Sequence, residues 1–195
     1  MVSQTLQKLS ITAIAQEHLE AFKATFTPQN IKTLELMAEE IAKAFRRGNK
    51  ILLCGNGGSA ADAQHIAAEF IGRFAIERKS LPALALTTDT SILTALGNDY
   101  SYDQVFSRQV EGLGKEGDIL IAISTSGNSK NVIEAVKKAK DLRLHTFGFS
   151  GLNGGALKPL ADLNFLAASA KTPHVQEMHI TALHAVSEAV ENILF

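Results

Sequence analysis

The feature that most constrains the fold is a repeated unit: a short apolar segment, then a polar or glycine-rich loop, then an amphipathic helix. Five apolar segments have the length and composition of strands, at residues 50–54, 81–86, 118–123, 144–149 and 163–168. Strands that alternate with helices pair in parallel, and apolar runs such as ILIAI indicate strands covered on both faces. The pattern predicts an α/β fold, a three-layer α/β/α sandwich around a five-stranded parallel sheet.

Two helices are predicted before the first strand. Apolar residues recur at helical spacing between residues 4 and 26, at Leu6, Leu9, Ala13, Ile14, Leu19 and Phe22. Thr27 and Pro28 then provide an N-cap and a first-turn proline for a second helix, which ends at Gly48. A last helix covers residues 174–194. We expect residues 1–48 to form a helical pair that packs on the domain and in an oligomer, and residues 49–195 to form the α/β domain, as one structural unit.

Composition excludes several classes of protein. With 195 residues, 46% of them apolar, the chain can bury the core of one domain, and a net charge of -1 with scattered cations argues against nucleic-acid binding. The single cysteine, Cys54, allows no disulfide within the chain and is expected to be a small buried hydrophobic residue. The first 20 residues carry interspersed charges, unlike a signal peptide or a membrane span, so we expect a cytoplasmic protein without membrane contact.

Two loops that follow predicted strands are suited to phosphate. In CGNGGSAADAQH the glycines allow close backbone approach, and Asn56 and Ser59 add polar side chains. ISTSGNSKN places four hydroxyl groups in six positions, at Ser124, Thr125, Ser126 and Ser129. Either loop alone is typical of an ordinary strand-to-helix turn, but both together favour a phosphate ligand. Neither G-x-G-x-x-G nor G-x-x-x-x-G-K-[ST] occurs at these loops, which favours a phosphorylated small molecule over a nucleotide.

Imidazole and carboxylate side chains on two predicted helices are candidate metal ligands. His65 and Glu69 are four residues apart and therefore share one helix face, although such pairs also form simple surface contacts. On the last helix His184 lies among apolar neighbours, where a core histidine is the alternative. Gln176 is eight residues from His184, about 12 Å along a helix. Both can reach one metal only if Gln176 lies at the helix entry or the two side chains converge.

Four segments together resemble, in order and spacing, the phosphoheptose isomerases of the SIS (sugar isomerase) domain superfamily: CGNGGSAADAQHIAAEF, ALGNDYSYDQVFSRQVEGLG, ISTSGNSKNVIEA and VQEMHITALH. The resemblance runs over residues 30–195 and implies the SIS fold, with flavodoxin-like topology and residues 49–195 as the SIS domain. ISTSGNS alone identifies only the superfamily, which includes binding and regulatory domains, so the isomerase interpretation depends on the other segments.

The resemblance also implies the site. It assigns a zinc ion, one per site, to His65, Glu69, Gln176 and His184, with Glu69 and His184 also forming the acid–base pair. The implied substrate contacts are Asn56, Gly57, Gly58, Glu69, Arg73, Asn98, Asp99, Ser124, Thr125, Ser126, Ser129 and Gln176. A homotetramer with active sites between subunits is implied as well, in which different copies could supply Gln176 and His184.

The implied reaction converts sedoheptulose 7-phosphate to D-glycero-D-manno-heptose 7-phosphate, a precursor of lipopolysaccharide or of another heptose-containing glycan. Such an isomerisation removes a proton from the carbon beside a carbonyl and returns it to the neighbouring carbon. We expect Glu69 to carry this proton through a cis-enediol. His184 is expected to protonate the oxygens and to open the sugar ring, although the two roles could be exchanged. Zn²⁺ would polarise the carbonyl and stabilise the enediolate.

Two non-enzymatic alternatives share part of this pattern. A replication-initiator-associating SIS protein, also a tetramer, has similar glycine and serine loops but lacks the carboxylate at position 69 and the histidine at position 184. A sugar-phosphate-sensing module would need only the serine loop. Glu69 and His184 therefore favour the enzyme. One departure from the isomerases is His174-Val175, preceded by Pro173, where Arg-Ile is usual, so no substrate contact is assigned to that turn.

Overall fold

The computed structural model describes residues 10–195, so the predicted helix positions Leu6 and Leu9 lie outside the described residues. Within this range the chain forms seven α-helices and five strands. In chain order they are α1 (Ile11–Thr25), α2 (Pro28–Arg46), β1 (Ile51–Cys54), α3 (Gly58–Ile71), β2 (Ala83–Ala85), α4 (Thr90–Asp99), α5 (Ser107–Leu113), β3 (Ile119–Ile123), α6 (Lys130–Asp141), β4 (His145–Gly151), β5 (Leu163–Ala167) and α7 (Thr172–Leu194). A 3-10 turn, Tyr102–Gln104, precedes α5.

The five strands form one parallel sheet in the order β2-β1-β3-β4-β5. This is the flavodoxin-like order, and it confirms the predicted sandwich. Successive side chains of a strand point to opposite faces of the sheet, so each strand contributes to two separate hydrophobic cores. Leu53 and Ile121 pack toward α2, α3 and α7, whereas Leu52 and Leu120 pack toward α5 and α6. Because both faces are covered, β1 and β3 are buried along their whole lengths.

The predicted helix boundaries near the N-terminus are confirmed. Thr27 caps α2 by accepting a hydrogen bond from the Asn30 backbone N–H at 3.3 Å, and Pro28 occupies the first turn. Gly48 follows α2 with a φ of 81°, a left-handed conformation that favours glycine. Because α2 packs in the same core as α3 and α7, it is an integral part of the sandwich. A domain boundary at residue 48 stays a prediction.

Two helices between β2 and β3 were not predicted from the sequence. α4 has no buried residue, and α5 has only seven residues, so neither carries the broad apolar stripe that identifies a helix in sequence. Cys54 is buried, as expected, and burial raises the pKa of its thiol to about 12, which leaves the group unreactive at neutral pH. Among residues 10–195, no helix has the length and apolarity needed to cross a membrane.

His179 on α7 is a fully buried histidine, packed edge-on against Phe149 and Phe165. Burial lowers its pKa to about 4. The folded state therefore holds this ring neutral, whereas the unfolded chain takes up a proton below its ordinary pKa of 6.5. The stability that depends on the neutral ring is fully present above pH 6.5 and falls as the pH drops toward 4.

We expect this histidine to account for about 2 kcal/mol of lost stability between pH 7.5 and pH 5. The measurement is urea denaturation at both pH values for the wild type, His179→Met, and His145→Gln as an exposed control. The His179→Met protein should lose less stability on acidification by that amount, and the control should behave as the wild type does. Equal acid sensitivity of His179→Met and wild type would contradict the assignment.

Candidate active site

The two predicted phosphate loops lie side by side at one edge of the sheet. β1 and β3 are neighbours, but the chain leaves β1 toward β2 on one side and leaves β3 toward β4 on the other. A reversal of this kind opens a crevice at the carboxyl ends of the strands, where α/β proteins bind ligands. The glycine loop (residues 55–57) and the serine loop (residues 124–129) both begin at this crevice.

The glycine loop ends at the N-terminus of α3. Gly57 caps this helix with a φ of 56° and no side-chain hydrogen bond, and such a helix terminus can bind an anion through its backbone N–H groups. Gly58 allows a close contact, because a Cβ atom there would lie 2.3 Å from Nε2 of Gln176. The amide of Gln176 therefore packs directly on the first turn of α3.

The serine loop has an internal hydrogen-bond network. The Ser124 hydroxyl is buried and donates to Oγ of Ser129 at 2.9 Å, while Oγ of Ser126 accepts a bond from the Asn128 backbone N–H at 3.1 Å. Thr125 is half-buried, and its carbonyl accepts the Gly151 N–H at 3.0 Å. The loop is thus held in one conformation next to the N-terminus of α6.

Asn131 in the first turn of α6 is a site residue that sequence analysis missed. Its side-chain amide pairs with that of Asn56 across the crevice. The signal was present in the sequence, since Asn131 is a polar residue on the same stripe of α6 as the buried Val132, Ala135 and Val136.

His65, Glu69 and His184 meet in one cluster, with one ligand atom of each lying within 4.8 Å of the others. Nε2 of His65 is 2.9 Å from Nε2 of His184 and 3.1 Å from Oε1 of Glu69. α3 carries the first two residues one turn apart, and α7 packs beside α3 and supplies the third. Two imidazoles and a carboxylate form a donor set typical of catalytic zinc sites.

The surroundings of His184 favour its neutral form. Burial lowers its pKa, the neighbouring His65 lowers it further, and the Glu69 carboxylate opposes both effects. The Phe74 ring lies beside His184, with 5.7 Å between the two ring centroids. A neutral imidazole has a free nitrogen lone pair, which both metal binding and proton transfer require.

Gln176 lies at the other end of the α3–α7 contact. Its amide touches Gly58, whereas His184, eight residues later on α7, touches His65. α3 and α7 therefore run in the same direction, and about 12 Å of helix separates the two contacts. Within one chain the structure brings together three of the four predicted metal ligands, and the fourth, Gln176, contacts the first turn of α3.

Three further predicted substrate contacts are exposed and contact their own sequence neighbours. The Arg73 guanidinium lies 3.7 Å from the Glu77 carboxylate, and Nδ2 of Asn98 donates to Oδ1 of Asp99 at 2.8 Å. Asn98 and Asp99 end α4, on the opposite side of the sheet from α7. A single chain therefore presents these side chains on its surface.

Asp62 is a second residue near the cluster that sequence analysis missed. It lies one turn before His65 on α3 and is half-buried. Burial raises the pKa of its carboxyl group to about 6, and His65 opposes this shift. The sequence did contain a signal, because residues at positions i, i+3 and i+7 share one face of a helix. Asp62, His65 and Glu69 have this spacing.

A buried ion pair ties together the ends of the two helices that carry the cluster. Nε of Arg78 donates to Oε1 of Glu191 at 2.7 Å, and both side chains are only 1% exposed. Other Arg78 N–H groups donate to backbone carbonyls at the end of α3, including that of Glu69 at 2.8 Å. Glu191 also accepts backbone N–H bonds from Phe74, Ala75 and Ile76.

Known proteins resemble the chain along most of its length. The family described as SIS domain matches residues 16–151. A phosphoheptose isomerase of Aliarcobacter butzleri is 55% identical over 170 residues, covering 84% of this chain and 90% of that protein. One from Campylobacter concisus is 50% identical over 93% of this chain and 97% of its own length. The phosphoheptose isomerase structure from Neisseria gonorrhoeae superposes with a TM-score of 0.88 at 42% identity, over 93% of this chain and 97% of that one.

Proposed function

The chain belongs to the phosphoheptose isomerase family of SIS-domain proteins, and from this membership we propose that it converts sedoheptulose 7-phosphate to D-glycero-D-manno-heptose 7-phosphate in heptose biosynthesis. The observation that carries the proposal is that His65 and Glu69 of α3, the helix that follows the glycine loop, meet His184 of α7. The initiator-binding alternative has similar loops but lacks the carboxylate at position 69 and the histidine at position 184, so it cannot form this cluster.

A zinc ion fits the cluster. Tetrahedral ligands at ordinary Zn–N distances lie roughly 3.3 Å apart. Nε2 of His65 lies near this distance from Nε2 of His184 and from Oε1 of Glu69, and all three donor atoms lie within 4.8 Å of one another. We propose that these three residues hold Zn²⁺, with Gln176 as the fourth ligand. When bound, the ion would polarise the sugar carbonyl and stabilise negative charge on its oxygen.

Glu69 and His184 perform the proton transfers in this proposal. The Glu69 carboxylate takes a proton from C1 of the open-chain ketose and returns it to C2, and a cis-enediol lies between the two steps. His184, whose lowered pKa favours the neutral form, accepts the proton of the C1 hydroxyl and, as the imidazolium so formed, delivers it to the C2 oxygen. The sugar is thereby isomerised without a net change in protons.

The phosphate is bound far from the reacting carbons. The serine loop and the N-termini of α3 and α6 supply hydroxyl and backbone N–H donors, with Ser124 and Ser129 already fixed by their mutual hydrogen bond. Binding at this remote group orients C1 and C2 against Glu69, so binding energy is used for positioning.

A second subunit would complete the site. Within one chain Gln176 is about 12 Å along α7 from His184, and Arg73, Asn98 and Asp99 are exposed. Large apolar side chains are also exposed on the N-terminal helices, among them Ile11, Leu19 and Phe22 on α1. We propose a homotetramer in which these surfaces are covered and the distant residues reach the cluster of a neighbouring copy.

The test is conversion of sedoheptulose 7-phosphate by the purified protein, followed before and after chelation and after addition of zinc. We expect turnover, its loss on chelation and its recovery with zinc. Absence of turnover in all three conditions would overturn the isomerase proposal, and binding of a replication initiator by that inactive protein would support the alternative. Full turnover after verified metal removal would retain the isomerase and exclude zinc from its reaction.

A further inference from the structure

We propose that Asn131 is a positioning residue, which orients the side chain of Asn56 for the substrate by pairing with it across the crevice between β1 and β3. This inference rests on the proposed function, because it assigns a role in that same site. Asn131 belongs to α6 and Asn56 to the loop after β1, 75 positions earlier.

The two amides form a reciprocal pair. Nδ2 of Asn56 donates to Oδ1 of Asn131 at 2.9 Å, and Nδ2 of Asn131 donates to Oδ1 of Asn56 at 2.8 Å. Asn131 is only 4% exposed, whereas Asn56 is half-buried. The buried member of the pair is therefore fixed by the protein, and the other is partly open to solvent.

A backbone group determines which way both amides point. The Val132 N–H donates to Oδ1 of Asn131 at 3.0 Å, and a backbone N–H can only donate. Oδ1 of Asn131 must therefore be the oxygen, which places its Nδ2 against Oδ1 of Asn56. A flipped Asn56 would place two N–H groups against each other and two oxygens against each other. The orientation of Asn56 thus follows from the start of α6.

Asn56 retains hydrogen-bonding capacity after this pairing. Its Nδ2 has a second N–H and its Oδ1 a second lone pair, while its backbone carbonyl accepts the Ser59 N–H at 3.0 Å. The free N–H suits an oxygen of the sugar phosphate, either a hydroxyl or a phosphate oxygen. Because the amide is oriented before binding, little side-chain freedom is lost when the substrate arrives.

A double-mutant cycle tests this coupling. Asn131→Ala, Asn56→Ala and the double variant are compared with wild type by kcat, KM and the calorimetric Kd of sedoheptulose 7-phosphate. If Asn131 acts through Asn56, each single variant raises KM and Kd by about tenfold with a smaller change in kcat, and the double variant is no worse than Asn56→Ala. Effects that multiply in the double variant, or an unchanged KM and Kd in Asn131→Ala, would overturn the proposal.

Two further variants separate positioning from general stability. Asn131→Asp still accepts from Val132 and from Nδ2 of Asn56 but sets a carboxylate oxygen against Oδ1 of Asn56, so its KM should rise more than that of Asn131→Ala. Asn164→Ala is the matched control, since Asn164 is half-buried and donates to the carbonyls of Lys158 and Ala161. It should lower thermal stability and leave KM unchanged, and a KM rise equal to that of Asn131→Ala would overturn the positioning role.

The binding measurement distinguishes this proposal from the proposed function. If the wild type binds sedoheptulose 7-phosphate without converting it, the isomerase proposal fails. The Kd values of the double-mutant cycle then still decide the role of Asn131. If the wild type does not bind the sugar phosphate at all, both proposals are overturned.

Discussion

Replacing Glu69 by glutamine is expected to lower kcat for sedoheptulose 7-phosphate by about 10²- to 10⁴-fold. Glutamine keeps the size of the side chain and its reach toward Nε2 of His65, 3.1 Å away, but it cannot take a proton from carbon. The measurement is initial-rate turnover with zinc present and with bound metal quantified. Metal content separates loss of the base from loss of a ligand.

Glu134→Gln is the matched control for this change. Glu134 pairs with Lys137 on α6 through a carboxylate whose side chain is 44% exposed, so the same chemical replacement there should leave kcat within about twofold of wild type. A Glu69→Gln enzyme that retains more than a tenth of wild-type kcat at full zinc content would exclude Glu69 as the group that moves the carbon proton.

The second large effect concerns stability. Replacing Glu191 by glutamine removes the negative charge that faces the Arg78 guanidinium at a position where both side chains are 1% exposed. Removing one member of a buried ion pair destabilises a protein by about 3–5 kcal/mol, because the remaining charge is left uncompensated. Burial disfavours the Glu191 carboxylate, yet hydrogen bonds from Ala75, Phe74, Ile76 and Arg78 outweigh it and lower its pKa.

Urea denaturation at neutral pH measures this loss, with Glu134→Gln again as the control, for which we expect a change within about 1 kcal/mol. A loss below about 1 kcal/mol in Glu191→Gln would show that water or rearrangement satisfies Arg78.

The same pair connects stability to the site. Arg78 binds the backbone carbonyl of Glu69, and Glu191 binds the backbone of Phe74, whose ring lies beside His184. A change in this pair is therefore transmitted to both helices of the cluster. The sequence contained no pattern for the contact, because Arg78 lies in a loop and Glu191 is 113 residues away.

The order of strands and helices could be predicted well from local patterns. Each of the five predicted strands is present to within a few residues, and the Thr27-Pro28 start of α2 is confirmed. α4 and α5 were missed because their own sequences bury little, so tertiary packing stabilises them more than helical periodicity does. Family membership and enzyme class, predicted from four segments, are confirmed by the relatives.

The sequence by itself determined which chemical groups are available, because strand, loop and helix signals and the functional motifs are encoded over short stretches of chain. Only the tertiary structure decided which of these groups meet. His184 reaches His65 across 119 residues and Asn131 reaches Asn56 across 75, whereas Gln176, on the same helix as His184, is held at the glycine loop. The physical reason is that such contacts depend on how helices pack against one sheet, and sequence spacing contains no information on that distance.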